Sequence, residues 1–187
     1  MINKAIFIHV PKTAGMSIIE ATKELNVKCI GHRKASDFTE KQLRESFVFS
    51  FVRNPYDRFI SAFFYLKQGG INIKDKSIGD ILPNDIQQCV DLIKSLDDSF
   101  MYKKRKLFHF QPQHQWHNAK IDFIGRYERL NDDFAYISTK IANKKIILPH
   151  MNESKKKYYT EYLTKNIIDS INGRFYKDFD KYHYLFL

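Results

Sequence analysis

Two apolar runs limit the folds open to this chain more than any other feature. AIFIHV spans residues 5–10 and FVFSFV spans 47–52. Each is nearly continuous rather than alternating, which is how a strand buried on both faces reads. Each stops at a turn and passes straight into a helical pattern. After the first come Pro11, Lys12, Thr13, Ala14 and Gly15, then a helical stretch over 16–25 with Ile18, Ile19, Ala21, Thr22 and Leu25 on or near one face. After the second come Arg53, Asn54 and Pro55, then Phe59, Ile60, Phe63, Phe64 and Leu66. Asn54 can cap that helix, Pro55 suits its first position and Asp57 sits in its first turn.

The remaining elements continue the alternation. VKCI at 27–30 reads as a short strand, and Thr39 with Gln42 is a capping-box pattern for a helix over 40–46. Gly69–Gly70 end the helix that follows Pro55. Residues 71–83 read as loop, 84–105 as helix, FHFQPQHQW at 108–116 as irregular chain and IDFIGRY at 121–127 as a strand. A helix over 131–142, a loop at ILPHMN and a mostly helical 160–186 complete the chain. Strands alternating with helices predict an α/β fold of three layers, a central parallel sheet with helices on both faces. The length of 187 residues suits one domain over 1–187, with 68–118 as an elaboration of it.

Ligands of such sheets bind beyond the carboxyl ends of the strands. That rule groups residues 11–17, 31–34 and 53–56. The first group has the chemistry of an anion cradle. A helix start leaves backbone N–H groups without partners, and its dipole adds partial positive charge. Gly15 lets a ligand approach the backbone, Thr13 and Ser17 add hydroxyls, and Lys12 adds a full charge. The pattern is not a Walker A loop, because Lys12 precedes Gly15 and no G-K-[ST] occurs. An ordinary strand-to-helix turn is the alternative. Arg53 heads the second group, where a guanidinium beside a helix start suits phosphate oxygens. Its alternative is a structural bridge to Asp57 or Asp37. Two anion sites on two strand ends suit a ligand with two anionic groups.

The net charge of +10 favours an anionic partner but does not choose among nucleic acid, acidic glycan, phosphorylated metabolite and membrane face. The lysine runs KKRK at 103–106 and KKK at 155–157 read first as solvated surface. Cys29 and Cys89 lie far apart without metal spacing and read as reduced, buried thiols. With no leader pattern and no span-length apolar run, the expectation is a cytoplasmic protein without a membrane anchor.

PKTAGMS together with FVRNPYDRFISAFFY resembles the sulfotransferases that use 3′-phosphoadenosine 5′-phosphosulfate (PAPS). The similarity is greatest to the carbohydrate branch, with heparan sulfate 2-O-sulfotransferase and the chondroitin enzymes. FQPQHQW, DFIGRYERLNDDF, LPHMN and YKDFDKYHY extend it in order over nearly the whole chain. The resemblance implies a P-loop-NTPase-like sulfotransferase fold and transfer of a sulfuryl group to a hydroxyl of a carbohydrate or glycoside acceptor, possibly acidic. It implies that Lys12, Thr13, Ala14, Gly15, Met16 and Ser17 hold the 5′-phosphosulfate. It implies likewise that Arg53, and Ser61 eight residues on, hold the 3′-phosphate. It further implies that Tyr127 lies by the adenine and that Lys155–Lys157 help neutralise the 3′-phosphate. Met16 departs from the family loop, which usually has threonine there and so one more hydroxyl donor.

Lys12 and His32 are the catalytic candidates. By resemblance, Lys12 donates to the oxygen leaving the sulfate, and His32 stands at the family's place for the base that deprotonates the acceptor. His32 otherwise reads as a surface loop histidine, and His9 as a core residue of its strand. Gln111, Gln113, His114 and Trp116 are candidate acceptor contacts, with Trp116 either stacked on a sugar ring or packed in the core. Glu128 reads equally as a helix-start residue. The family needs no metal for transfer. A nucleotide-binding module without turnover, a nucleic-acid-binding protein and a small-molecule kinase are the rival readings. Neither an aromatic-basic nucleic-acid motif nor a Walker lysine supports the last two, so no nucleic-acid partner is expected.

Overall fold

A computed structural model describes residues 4–98, 107–149 and 158–187. The chain divides into two compact units. The first comprises 1–53 with 113–154, and the second 54–112 with 155–187. The lysine runs at 103–106 and 155–157 and most of the LPHMN stretch lie outside the described residues.

The first unit holds a four-stranded, all-parallel sheet in the order β2-β1-β3-β4. Its strands are β1 (Ala5–Ile8), β2 (Val27–Lys28), β3 (Phe47–Val52) and β4 (Phe123–Arg126). Helices α1 (Gly15–Ala21), α2 (Glu40–Arg44) and α6 (Leu130–Ala142) belong to the same unit. Ala5 and Phe7 of β1 and Phe49 and Phe51 of β3 form one buried row, packed with Ile18 of α1 and Phe134 and Ile137 of α6. The alternate row, Ile6, Ile8, Val48, Ser50 and Val52, is buried as well. Burial on both sides explains why these strands read as continuous apolar runs. The parallel sheet surrounded by helices is the expected α/β fold.

Two polar devices fasten neighbouring strands of this sheet. Asp122 accepts the Val48 N–H at 2.8 Å and donates its own N–H to the Val48 carbonyl at 2.7 Å, which sets the register of β4 on β3. Ser50 Oγ donates to the Ile8 carbonyl at 2.7 Å. That hydroxyl proton is then committed, so His117 Nε2, 2.8 Å away, must donate to the Ser50 oxygen. His117 is therefore buried as a structural residue, a role the sequence did not signal.

The second unit is helical: α3 (Pro55–Lys67), α4 (Ile73–Ile81), α5 (Ile86–Ser95) and α7 (Lys165–Tyr182). The cap expected on α3 is present, with the Asn54 side chain accepting the Tyr56 N–H at 3.0 Å. Its other end is closed by Gly69 and Gly70, whose N–H groups donate to Leu66 and Tyr65 carbonyls. Helix α7 presents Ile167, Ile171, Phe175, Asp178, Phe179 and Tyr182 to the interior at helical spacing.

Helix α4 corrects the expectation of a loop over 71–83. Asn72 caps it by accepting the Asp75 N–H at 3.0 Å. No apolar stripe marks it, because its close packing is backbone on backbone. A Cβ on Gly79 would lie 1.9 Å from the Leu66 carbonyl oxygen, so only glycine lets α4 approach α3 there. Both α1 and β2 are also shorter than expected, and Thr22 Oγ1 donates to the Ile18 carbonyl at 2.8 Å where α1 ends.

A carboxylate anchors α4. Asp75 Oδ2 accepts from Tyr65 Oη at 2.6 Å and Asn72 Nδ2 at 2.8 Å, and Oδ1 lies 3.9 Å from His109 Nε2. Burial first, and then this carboxylate, pushes the Tyr65 phenol above its ordinary range. Asp75→Ala would take the acceptor from the half-buried Tyr65 hydroxyl and empty a buried position. A loss of about 1–3 kcal/mol is expected in urea melts.

Candidate functional site

The loop after β1 takes an unusual backbone path. Lys12 and Ala14 both lie in the left-handed region, at φ 69° and 65°. For residues with a Cβ, such conformations cost on the order of 1–2 kcal/mol each and persist only when the surroundings impose them. Here Thr13 supplies the constraint. Its side chain is fully buried, and Oγ1 donates to the Val10 carbonyl at 2.9 Å. Thr13 was expected to offer its hydroxyl to an anion. Its proton is instead committed to the turn, so Thr13 builds the loop.

Gly15 opens α1 and is required there by close approach. A Cβ on it would sit 1.8 Å from His9 Nε2. The first turn of α1 carries no acidic residue, and no side chain caps its N-terminus. Ser17 is buried, whereas Met16 stands exposed.

Arg53 reaches this loop from the end of β3. Its Nη1 donates to the Lys12 carbonyl at 3.1 Å, and its guanidinium lies 3.8 Å from the centroid of the Tyr127 ring. That stacking is a cation–π contact. The Arg53 backbone is clamped by the Gln113 amide, which accepts the Arg53 N–H at 2.9 Å and donates to its carbonyl at 2.8 Å. Strands β1, β3 and β4 thus deliver Lys12, Arg53 and Tyr127 to one place. Asp37, offered as a bridge for Arg53, accepts the Lys34 N–H at 2.9 Å. Gln113 is fully buried and serves as a clamp on Arg53, a role the reading of it as an acceptor contact missed.

The third group, after β2, brings His32. Its Nδ1 lies 2.9 Å from the His9 carbonyl oxygen. A carbonyl can only accept, so Nδ1 carries the proton, and in the neutral ring the basic lone pair is on Nε2. The His32 ring packs 4.0 Å from the His9 ring and 6.1 Å from Trp116, edge on. Ser36 and Asn118 tie the same loop to the segment before β4 through two hydrogen bonds, at 3.0 and 2.9 Å.

The remaining candidates fall differently. Trp116 has no exposed surface, which selects its core alternative over stacking on a sugar. Gln111, in the second unit, is also fully buried, and its carbonyl accepts from Arg58 Nη2 at 2.6 Å. His114 is half-buried on the short turn Gln113–Trp116. Ser61 is half-buried on α3, in the second unit. Glu128 is exposed in the short turn Tyr127–Arg129 that precedes α6.

Among the described residues no three His, Cys, Asp or Glu side chains group as a metal site. No helix among them is long and apolar enough to cross a membrane. Cys29 is half-buried rather than buried, and burial pushes its thiol up to about 11 and that of Cys89 up to about 12.

No curated protein matches the chain. The model of the sulfotransferase family matches residues 3–185, which includes every strand and every site residue named above. The chain therefore belongs to the sulfotransferase family, and its basic chemistry is sulfuryl transfer.

Proposed function

We propose that this sulfotransferase moves a sulfuryl group from PAPS to a hydroxyl of a carbohydrate or glycoside. The observation that carries the reading is the bond from Arg53 to the Lys12 carbonyl, backed by the Tyr127 ring. It brings the two motifs that resemble the nucleotide-binding segments of PAPS enzymes to one place. The donor set suits such a ligand: an ammonium, a guanidinium and a helix start without acidic residues. The donor supplies an activated sulfate whose leaving group is a phosphate. This chain's residues would hold it, align it and stabilise the charge that develops.

Lys12 donates to the oxygen on which charge builds as the bond to sulfur breaks. Arg53 takes the 3′-phosphate and, by the resemblance, Ser61 assists it. Tyr127 flanks the adenine. Nε2 of His32 takes the proton of the acceptor hydroxyl, the task its tautomer allows. With Gln111, Gln113 and Trp116 fully buried, His114 is the candidate acceptor contact that keeps exposed surface. Labelled PAPS with a panel of saccharides tests the whole reading. Transfer supports it. Absence of transfer together with absence of binding by 3′-phosphoadenosine 5′-phosphate (PAP) removes it, and PAP binding without transfer would leave a nucleotide-binding module.

Two variants test the donor site. Arg53→Ala should weaken PAP binding by about 10- to 100-fold, the value of a charge-assisted hydrogen bond. It should also abolish the preference for PAP over adenosine 5′-phosphate in calorimetry. Retained preference would assign the 3′-phosphate elsewhere. Met16→Thr returns a hydroxyl to an exposed position of the loop. Tighter PAP binding is expected, by about 2- to 10-fold for one neutral hydrogen bond.

A further inference from the structure

We propose that His9 is a positioning residue shared by the donor loop and the base, and that its ring and carbonyl set the distance between them. The inference rests on the reading of Lys12 and His32 given above. Three separate contacts carry it. The His9 ring fills the space that a Cβ on Gly15 would need, with Nε2 1.8 Å from that point. Its face packs 4.0 Å from the His32 ring. Its carbonyl takes the His32 Nδ1–H at 2.9 Å. On the side toward the core it stacks on Phe7, 5.5 Å between centroids, and Phe7 stacks in turn on Phe49.

A polar ring in an otherwise apolar strand needs a reason. His9 is only 7% exposed, so it is not a surface residue that happens to lie in β1's continuation. It is the floor on which both halves of the site rest. The loop residues that would grip the donor lie on one edge of the ring, and the base lies against its face. Because protein interiors are densely packed, a shift of this ring moves both neighbours. His9 touches neither the donor nor the acceptor in this scheme and acts only through Gly15 and His32.

The test has a spectroscopic arm and a kinetic arm. Nitrogen NMR of the histidine side chains in the wild-type protein should show His32 with its proton on Nδ1. His9→Ala, which removes the packing but keeps the carbonyl, should mix the two tautomers. A purely structural residue would not move that signature. The same variant should lower kcat by about 10²-fold, the scale for a misplacement near 1 Å, and weaken PAP binding as well. Gly15→Ala provides a second route that keeps the His9 side chain. Its new Cβ must displace the His9 ring, against which His32 packs, so kcat should fall even at saturating donor. Adding His9→Ala to Gly15→Ala should recover part of the lost PAP affinity, because the vacated ring space accepts the Cβ.

A wild-type His32 protonated on Nε2 would overturn the inference. So would an unchanged kcat in His9→Ala, or a double variant that is merely the sum of the two. In those cases a wild-type protein that binds PAP and transfers sulfate keeps the reading it rests on. A wild-type protein that does not bind PAP removes both.

Discussion

His32→Ala is expected to bind PAP as the wild type does and to transfer sulfate about 10²–10⁴-fold more slowly, the contribution typical of a general base. The split follows from position. His32 stands on the loop after β2 and contacts His9 and Trp116, whereas the nucleotide candidates stand after β1, β3 and β4. The pH profile sharpens the test. An imidazole must be neutral to accept the acceptor's proton, so wild-type kcat should fall as acid protonates Nε2. His32→Ala should lose that acid limb, and the slow residual rate should be flat through the same range. Calorimetry with PAP and initial rates with labelled PAPS measure the two halves. Equal turnover would remove His32 as the base, and a collapse of PAP affinity would reassign it to the donor site.

Lys12→Ala should lower kcat by about 10²–10³-fold, as expected for one donor to a developing oxyanion, with a smaller effect on PAP affinity. The substitution leaves the backbone of the loop as it is. Position 12 lies at φ 69°, and alanine pays the same left-handed penalty as lysine, so backbone strain is unchanged. The carbonyl that accepts from Arg53 is also retained. What is removed is the ammonium. Single-turnover rates at saturating PAPS give the measure. A loss confined to KM would mean that Lys12 binds ground-state phosphate and does not favour the transition state.

Much of the fold was legible because its strands are buried on both faces. AIFIHV and FVFSFV had to be strands of a parallel sheet, and Asn54–Pro55 had to start a helix. Helix α4 was not legible. It is held by a glycine against a carbonyl and by the carboxylate of Asp75, and neither leaves a periodic apolar pattern. The site was legible in part. The charge of Lys12, the fork of Arg53 and the imidazole of His32 could be placed at strand ends by the rule for open parallel sheets. The uses of Thr13, Gln113 and Trp116 could not, because a hydroxyl, an amide or an indole reads alike whether it faces a ligand or its own backbone.

The sequence by itself determined which chemical groups stand at the carboxyl ends of the strands, since strand and turn signals act over a few neighbouring residues. Only the tertiary structure decided which of those groups face each other. Arg53 meets the Lys12 carbonyl because β1 and β3 are neighbours in the sheet, although 41 residues separate the two in the chain. His9 lies against His32, 23 residues on, because packing, unlike local pattern, joins residues that are distant in sequence.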